Sequence, residues 1–247
     1  MRLILLRHGE SEWNLSNRFT GWKDVGLTEN GIVEATFSAK QLIKTNLKVH
    51  SIHTSLLKRA THTADIIAQI IKFPKDSIKY DWRLNERHYG ALQGLNKSET
   101  AEKYGESQVH IWRRSYDIAP PLLSENDTRH PKFDSKFEKI EGVLPVGESL
   151  KDVIERLDPF WETYLKFITK HQGNHLIVAH SNSLRAIIKI LDQLSPKKIM
   201  EVNIPTGVPL VYKLNHKLEV INKEYLIDND TLERKNKAIM KQGTKNG

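Results

Sequence analysis

Apolar residues recur along this chain in two spacings, and the alternation between them predicts the architecture. Leu3–Leu6 is a short continuous apolar run, the pattern of a strand buried on both faces. Thr28-Glu29-Asn30 then opens a segment with Ile32, Ala35, Ala39, Leu42 and Ile43 on one helical face. Val49–Ser55 is short and β-rich, and Lys58–Ile71 reads as a helix with Ala60, Ala64, Ile67, Ala68 and Ile71 inward. Glu148–Lys170 predicts a long amphipathic helix carrying Leu150, Val153, Ile154, Leu157 and Trp161. Pro159 lacks an N–H, so a kink or break is expected there. His175–Ala179 repeats the buried-strand pattern, and Leu184–Leu194 follows as a helix. Val208–Leu214 and Leu218–Leu226 read as two strands joined by Asn215-His216-Lys217. Alternating strands and helices, with continuously apolar strands, predict an α/β fold with a mostly parallel central sheet and helices on both faces.

Two stretches break the pattern. Residues 92–147 are polar, hold Pro120-Pro121, Pro131 and Pro145, and show weak periodicity. They read as a loop-rich insertion capping the sheet edge and the site. Beyond Asp228 the chain is polar and lysine-rich, so 1–228 is expected to be one α/β domain and 229–247 a basic, mobile tail, Gly243–Gly247 above all.

Composition narrows the function classes. Of the 247 residues, 38% are hydrophobic and 28% charged, as in a soluble globular protein. No apolar run approaches the roughly 20 residues that span a bilayer, so no membrane partner is expected. Leu3–Leu6 is too short for a signal-peptide core, and without a secretion signal the N-x-[ST] triplets at Asn14, Asn96, Asn126 and Asn229 read as chance. The absence of cysteine excludes disulfides and thiolate metal sites and fits a reducing cytoplasm. The net charge of +8 invites a nucleic-acid reading. No basic stripe with interleaved aromatics supports one, and small anionic substrates suit the sequence better.

The chemistry concentrates at strand ends. Ligands of open α/β sheets bind beyond the carboxyl ends of the strands. The first strand ends at Arg7-His8-Gly9, where a cation and an imidazole suit a phosphoryl group that the imidazole attacks. Gly9 has no Cβ, so it is expected to turn sharply and to let a ligand approach its backbone closely. The strand His175–Ala179 ends likewise at His180, followed by Ser181, Asn182 and Ser183, which read as N-caps preceding a helix. Arg59 opens a helix, Glu86 lies among cations in Leu84–Gly90, and Arg113-Arg114 offers two planar cations. Gly142-x4-Gly147 continues with Glu148-Ser149 and so lacks the P-loop lysine. His50/His53 and His171/His175 lack the carboxylate or cysteine company of a metal site.

Together these stretches resemble the cofactor-dependent phosphoglycerate mutases of the histidine phosphatase superfamily. The similar segments are LRHGESEWN (Leu6–Asn14), RFTGW (Arg18–Trp22), LKRATHT (Leu57–Thr63), LNERHYGALQGLNK (Leu84–Lys97), TAEKYG (Thr100–Gly105), Trp112–Arg114, AHSNSLR (Ala179–Arg185) and NIPTGVPLVY (Asn203–Tyr212). The RHG signature marks the superfamily, and the run from Leu84 to Lys97 marks the mutase branch. The resemblance implies that His8 carries a phosphoryl group supplied by 2,3-bisphosphoglycerate and exchanges it with a monophosphoglycerate. It makes Glu86 the proton donor and acceptor and His180 the transition-state stabiliser. Arg7, Asn14, Arg59 and Asn182 match positions around the phosphoryl group, and Ser11 and Ser181 match substrate-binding positions. Thr20, Gly21, Arg87, Tyr89, Lys97, Arg113 and Arg114 match positions holding the substrate carboxylate and distal phosphate. No metal is implied, and a homo-oligomer is, a homodimer before a larger assembly.

One position departs from the family pattern. Ser181 stands where the family usually has glycine. If that position requires φ > 0, serine costs roughly 1 kcal/mol or more there. Within the superfamily the rivals are a bisphosphoglycerate mutase or a phosphatase, and the long insertion favours the mutase branch. A non-catalytic anion-binding module is expected to lose His8, Glu86 or His180, and all three are present.

Overall fold

The computed structural model describes residues 1–242 and Thr244. β1 (Arg2–Arg7), β2 (Val49–Thr54), β3 (Lys79–Tyr80), β4 (Asn174–Ala179), β5 (Leu210–Leu214) and β6 (Val220–Tyr225) form one sheet in the order β3-β2-β4-β1-β5-β6. The first four in that order are mutually parallel, while β5 runs antiparallel to both β1 and β6. The mostly parallel sheet expected from the apolar runs is therefore present.

Alternation along β1 explains why the run is continuously apolar. Leu3 and Leu5 pack with Ile177 and Ala179 against α6 (Leu150–Lys170) and α7 (Ser181–Leu191) on one face. Ile4 and Leu6 pack with Leu176 and Val178 against α2 (Glu29–Lys44) and α3 (Lys58–Ile71) on the other. All four β1 side chains are fully buried. Truncating any one to alanine is worth about 2–5 kcal/mol.

Local chemistry sets the helix ends. Thr28 caps α2 by accepting from Gly31 N–H, and Ser149 and Asp152 form a reciprocal capping box at the start of α6. α6 runs through Pro159 without the expected break. Proline forfeits one helical hydrogen bond, while Leu157, Phe160 and Trp161 keep that stretch buried against the core. β5 begins at Leu210 rather than Val208, because Pro209 has no N–H to enter the ladder. β6 begins at Val220, because Leu218 takes a left-handed turn conformation with φ 65°.

The insertion and the tail hold more helix than expected. α4 (Lys97–Tyr104) and α5 (Glu106–Arg114) occupy the front of the insertion and bury Ala101 and Val109 against Phe19 and Leu92. The remainder, to residue 147, is loop with short turns. After the four-residue α8 (Pro196–Ile199), Asp228 caps α9 (Asn229–Lys241), where a basic tail without structure was expected. Of the stretch Gly243–Gly247 expected to be mobile, all but Thr244 lies outside the described residues.

Candidate active site

The adjacency of β1 and β4 creates the site. Arg7 pairs with Ala179 at the carboxyl ends of these neighbouring parallel strands, so His8 and His180 leave the sheet side by side. Their ring centroids are 4.9 Å apart. Gly9 is not in the left-handed region. Its role is close approach, since a Cβ there would lie 2.2 Å from the Gly31 carbonyl oxygen at the start of α2. What comes near its backbone is therefore the first turn of α2.

His8 is held in one orientation. Its Nδ1–H donates to the Gly9 carbonyl at 2.7 Å, which leaves Nε2 as the unprotonated ring nitrogen. Arg59 Nε donates to that nitrogen at 3.3 Å, while its two terminal nitrogens donate to the carbonyls of Lys23 and Gly21. Burial, then Arg59 and Arg7, push the His8 pKa well below the usual histidine value, so the ring is neutral near pH 7. Burial and Arg59 do the same to His180. The Nε2 of His180 pairs with Ser55 Oγ at 2.7 Å, and the ring is fully buried behind His8 rather than on the cavity wall.

The Glu86 segment is clamped from below. Arg156 makes a two-pronged pair with Glu148, which in turn accepts from His88 N–H. Arg156 also reaches the carbonyls of Arg83 and Asn85, and Trp22 Nε1 donates to the Glu86 carbonyl at 2.6 Å. The Glu86 Oε1 accepts from the N–H groups of Arg87 and Asn182, at 2.8 and 3.0 Å. Both donors engage one oxygen, and Glu86 lines the cavity with the other available for a proton.

Around these groups lies a cavity lined by Arg7, Arg18, Arg59, Lys97, Arg113, Arg114 and Arg185, with Glu86 as the carboxylate among its lining residues. Burial, then neighbouring cations among the largest causes, lowers the pKa of Arg113 to about 10 and of Lys97 well below its ordinary value. Arg59 is lowered to about 10, by burial above all. Arg87 has two buried nitrogens without a partner, and Arg7 and Arg185 each have one. Buried cations with unpaired N–H groups are costly unless an anion completes them. This arrangement is built for a ligand with more than one anionic group.

Most residues expected from the sequence meet here. Arg7, His8, Asn14, Thr20, Arg59, Glu86, Tyr89, Lys97, Arg113, Arg114, Ser181 and Asn182 line the cavity. Besides His180, three act from behind the wall. Ser11 holds the Asn14 side-chain oxygen at 2.9 Å, Gly21 supplies a carbonyl to Arg59, and Arg87 lies over the Tyr89 ring and donates to the Arg113 carbonyl. The concern over Ser181 disappears. It is the first residue of α7, capped by His180, and it is not in the left-handed region, so serine carries no such penalty. Ser181, Asn182 and Ser183 are thus the first turn of α7 and not caps ahead of it, although Ser183 Oγ accepts from His180 N–H.

Arg18, Phe19, Arg185, Ile239 and Gln242 also line the cavity and were not expected. Arg185 was within reach of the sequence, one helical turn beyond Asn182. Ile239 and Gln242 arrive from α9 and its end, where no sequence spacing signals an approach. Gln242 accepts from Lys97 Nζ at 3.3 Å, and Lys235 ties α9 to Glu34 at 2.6 Å. Among the described residues, no group of three or more His, Cys, Asp or Glu side chains could hold a metal ion, and no helix is long and apolar enough to cross a membrane.

Comparison with known proteins agrees with this geometry. A 2,3-bisphosphoglycerate-dependent phosphoglycerate mutase of Lachnoclostridium phytofermentans is 51% identical over 245 residues, covering 98% of each chain. The enzyme of that name from Treponema denticola is 51% identical over 247 residues, covering 99% of this chain and 100% of the other. A solved mycobacterial glucosyl-3-phosphoglycerate phosphatase shares the fold, with a TM-score of 0.70 at 23% identity over 92% of this chain and 98% of the other. The model of the histidine phosphatase superfamily (branch 1) matches residues 3–130 and 122–221. This chain belongs to the histidine phosphatase superfamily, branch 1.

Proposed function

We propose that this chain is a 2,3-bisphosphoglycerate-dependent phosphoglycerate mutase, interconverting 3-phosphoglycerate and 2-phosphoglycerate in glycolysis and gluconeogenesis. The reading is carried by one observation: a neutral His8 with an unprotonated Nε2 faces a cavity whose buried cations outnumber its carboxylate. Full-length relatives of that name at 51% identity support it. The unpaired nitrogens of Arg7 and Arg185, both on the cavity wall, fit a bisphosphorylated acid. When bound, 2,3-bisphosphoglycerate supplies the phosphoryl group that primes His8.

The residues divide the work. His8 Nε2 accepts the phosphoryl group while its Nδ1–H stays on the Gly9 carbonyl, so the ring keeps its orientation. Arg7, Arg59 and Asn14 neutralise and orient the transferring oxygens, and the resemblance gives His180, whose buried Nδ1 has no partner, the role of transition-state stabiliser from behind His8. Glu86 moves the proton of the substrate hydroxyl. Lys97, Arg113 and Arg114, with Tyr89 and Arg87, hold the carboxylate and the distal phosphate. Thr20, Ser181 and Asn182 complete the walls, with Ser11 and Gly21 supporting them from behind. No metal takes part. The resemblance also carries a homodimer and a cytoplasmic location.

The test is to incubate the protein with 3-phosphoglycerate, with and without trace 2,3-bisphosphoglycerate, and to follow 2-phosphoglycerate. Isomerisation stimulated by the bisphosphate is expected. Phosphate release as the main outcome would instead make the chain a phosphatase.

A further inference from the structure

Arg185 stands one turn beyond Asn182 on α7 and is 1% exposed. Its Nη1 donates to Asn182 Oδ1 at 2.9 Å, and its Nη2 donates to the carbonyls of Ile199 at 2.8 Å and Arg114 at 3.3 Å. A guanidinium only donates, so the contact with Asn182 fixes which end of that amide faces it. The amide nitrogen must then point the other way. Asn182 Nδ2 donates to the Tyr89 hydroxyl at 3.3 Å, and Asn182 and Tyr89 both line the cavity. A phenol that accepts this bond keeps its own O–H to donate. The chain Arg185 to Asn182 to Tyr89 therefore runs in one direction and ends as a donor facing the space for the ligand.

We propose that Arg185 is a positioning residue for substrate recognition, orienting Asn182 so that Asn182 and Tyr89 both present donors to the anionic oxygens of a phosphoglycerate. The same guanidinium ties the end of α5, which carries Arg113 and Arg114, to α7 and α8. It thereby sets the spacing between two walls of the cavity. The proposal rests on the mutase reading for its substrate.

The experiment compares wild type with Arg185→Lys, Arg185→Met, Tyr89→Phe and the Arg185→Lys/Tyr89→Phe double variant. KM and kcat for 3-phosphoglycerate are measured alongside thermal melts. Lysine keeps the charge, but one ammonium cannot span the three acceptors. In both Arg185 variants KM is expected to rise about tenfold or more, with kcat falling less. Tyr89→Phe is expected to raise KM alone and to add little in the Arg185→Lys background, where its donor is already misdirected. A wild-type KM in Arg185→Lys overturns the proposal, as does a fall in kcat at constant KM or full additivity with Tyr89→Phe. If Arg185→Met does not fold, Arg185→Lys and the double variant decide. Wild-type turnover in the same assay judges the mutase reading separately.

Discussion

Arg59 Nε donates to His8 Nε2 at 3.3 Å, so the nitrogen available for attack is already faced by a cation. An incoming phosphoryl group bonds to that nitrogen and offers its oxygens to the Arg59 N–H. The guanidinium is braced by the Lys23 and Gly21 carbonyls, which keep it beside that nitrogen as the phosphoryl group arrives. Arg59→Lys keeps a charge but not the braced fork. Its kcat is expected to fall by about 10²–10³. Steady-state turnover measures this, and a kcat equal to wild type would remove Arg59 from the transfer step.

Glu86→Gln separates proton transfer from architecture. A glutamine oxygen can still accept from the N–H groups of Arg87 and Asn182, so the segment keeps its shape. It cannot take a proton. The expected outcome is a kcat lower by about 10²–10⁴ with little change in KM. Retention of kcat within about threefold of wild type would mean that another group moves the proton.

Acid stability follows from a histidine away from the site. His53 is buried among Phe160, Tyr164 and Phe167, and burial, then Lys79 and His175, lowers its pKa to about 4. Its folded value lies below the unfolded value of about 6.5. Between the two, the unfolded chain binds more protons than the folded one. The stability this group contributes is therefore whole above pH 6.5 and is lost as the pH falls toward 4. At pH 5 the loss is about 2 kcal/mol. His53→Phe, which keeps the ring packing, is expected to gain that much relative to wild type between pH 7.5 and pH 5 in denaturant melts. An unchanged difference at the two pH values would contradict it.

The parts of this molecule legible in the sequence were those written in continuous runs. Leu3–Leu6 and Leu176–Ala179 declare strands buried on both faces, and the residues that follow them fall at one sheet end because parallel strands share a direction. The charged residues gathered by that end were legible through their motifs. What the sequence concealed depends on contacts between distant segments. α4 and α5 bury few apolar side chains, Ala101 and Val109 among them, so their periodicity is faint. α9 buries no residue and approaches the site through Ile239 and Gln242, which no spacing links to it. The conformation of Ser181 could not be read because it depends on α7 beginning at that residue rather than three later.

The most direct measurement asks which nitrogen carries phosphorus. The protein is treated with 2,3-bisphosphoglycerate, and the site is assigned by nitrogen–phosphorus coupling in NMR and by mass mapping. Because Nδ1 of His8 is committed to the Gly9 carbonyl, the label is expected on Nε2 of His8, and His8→Ala is expected to take up none. Phosphorus on Nδ1, on His180, or nowhere in the wild-type protein would contradict the account.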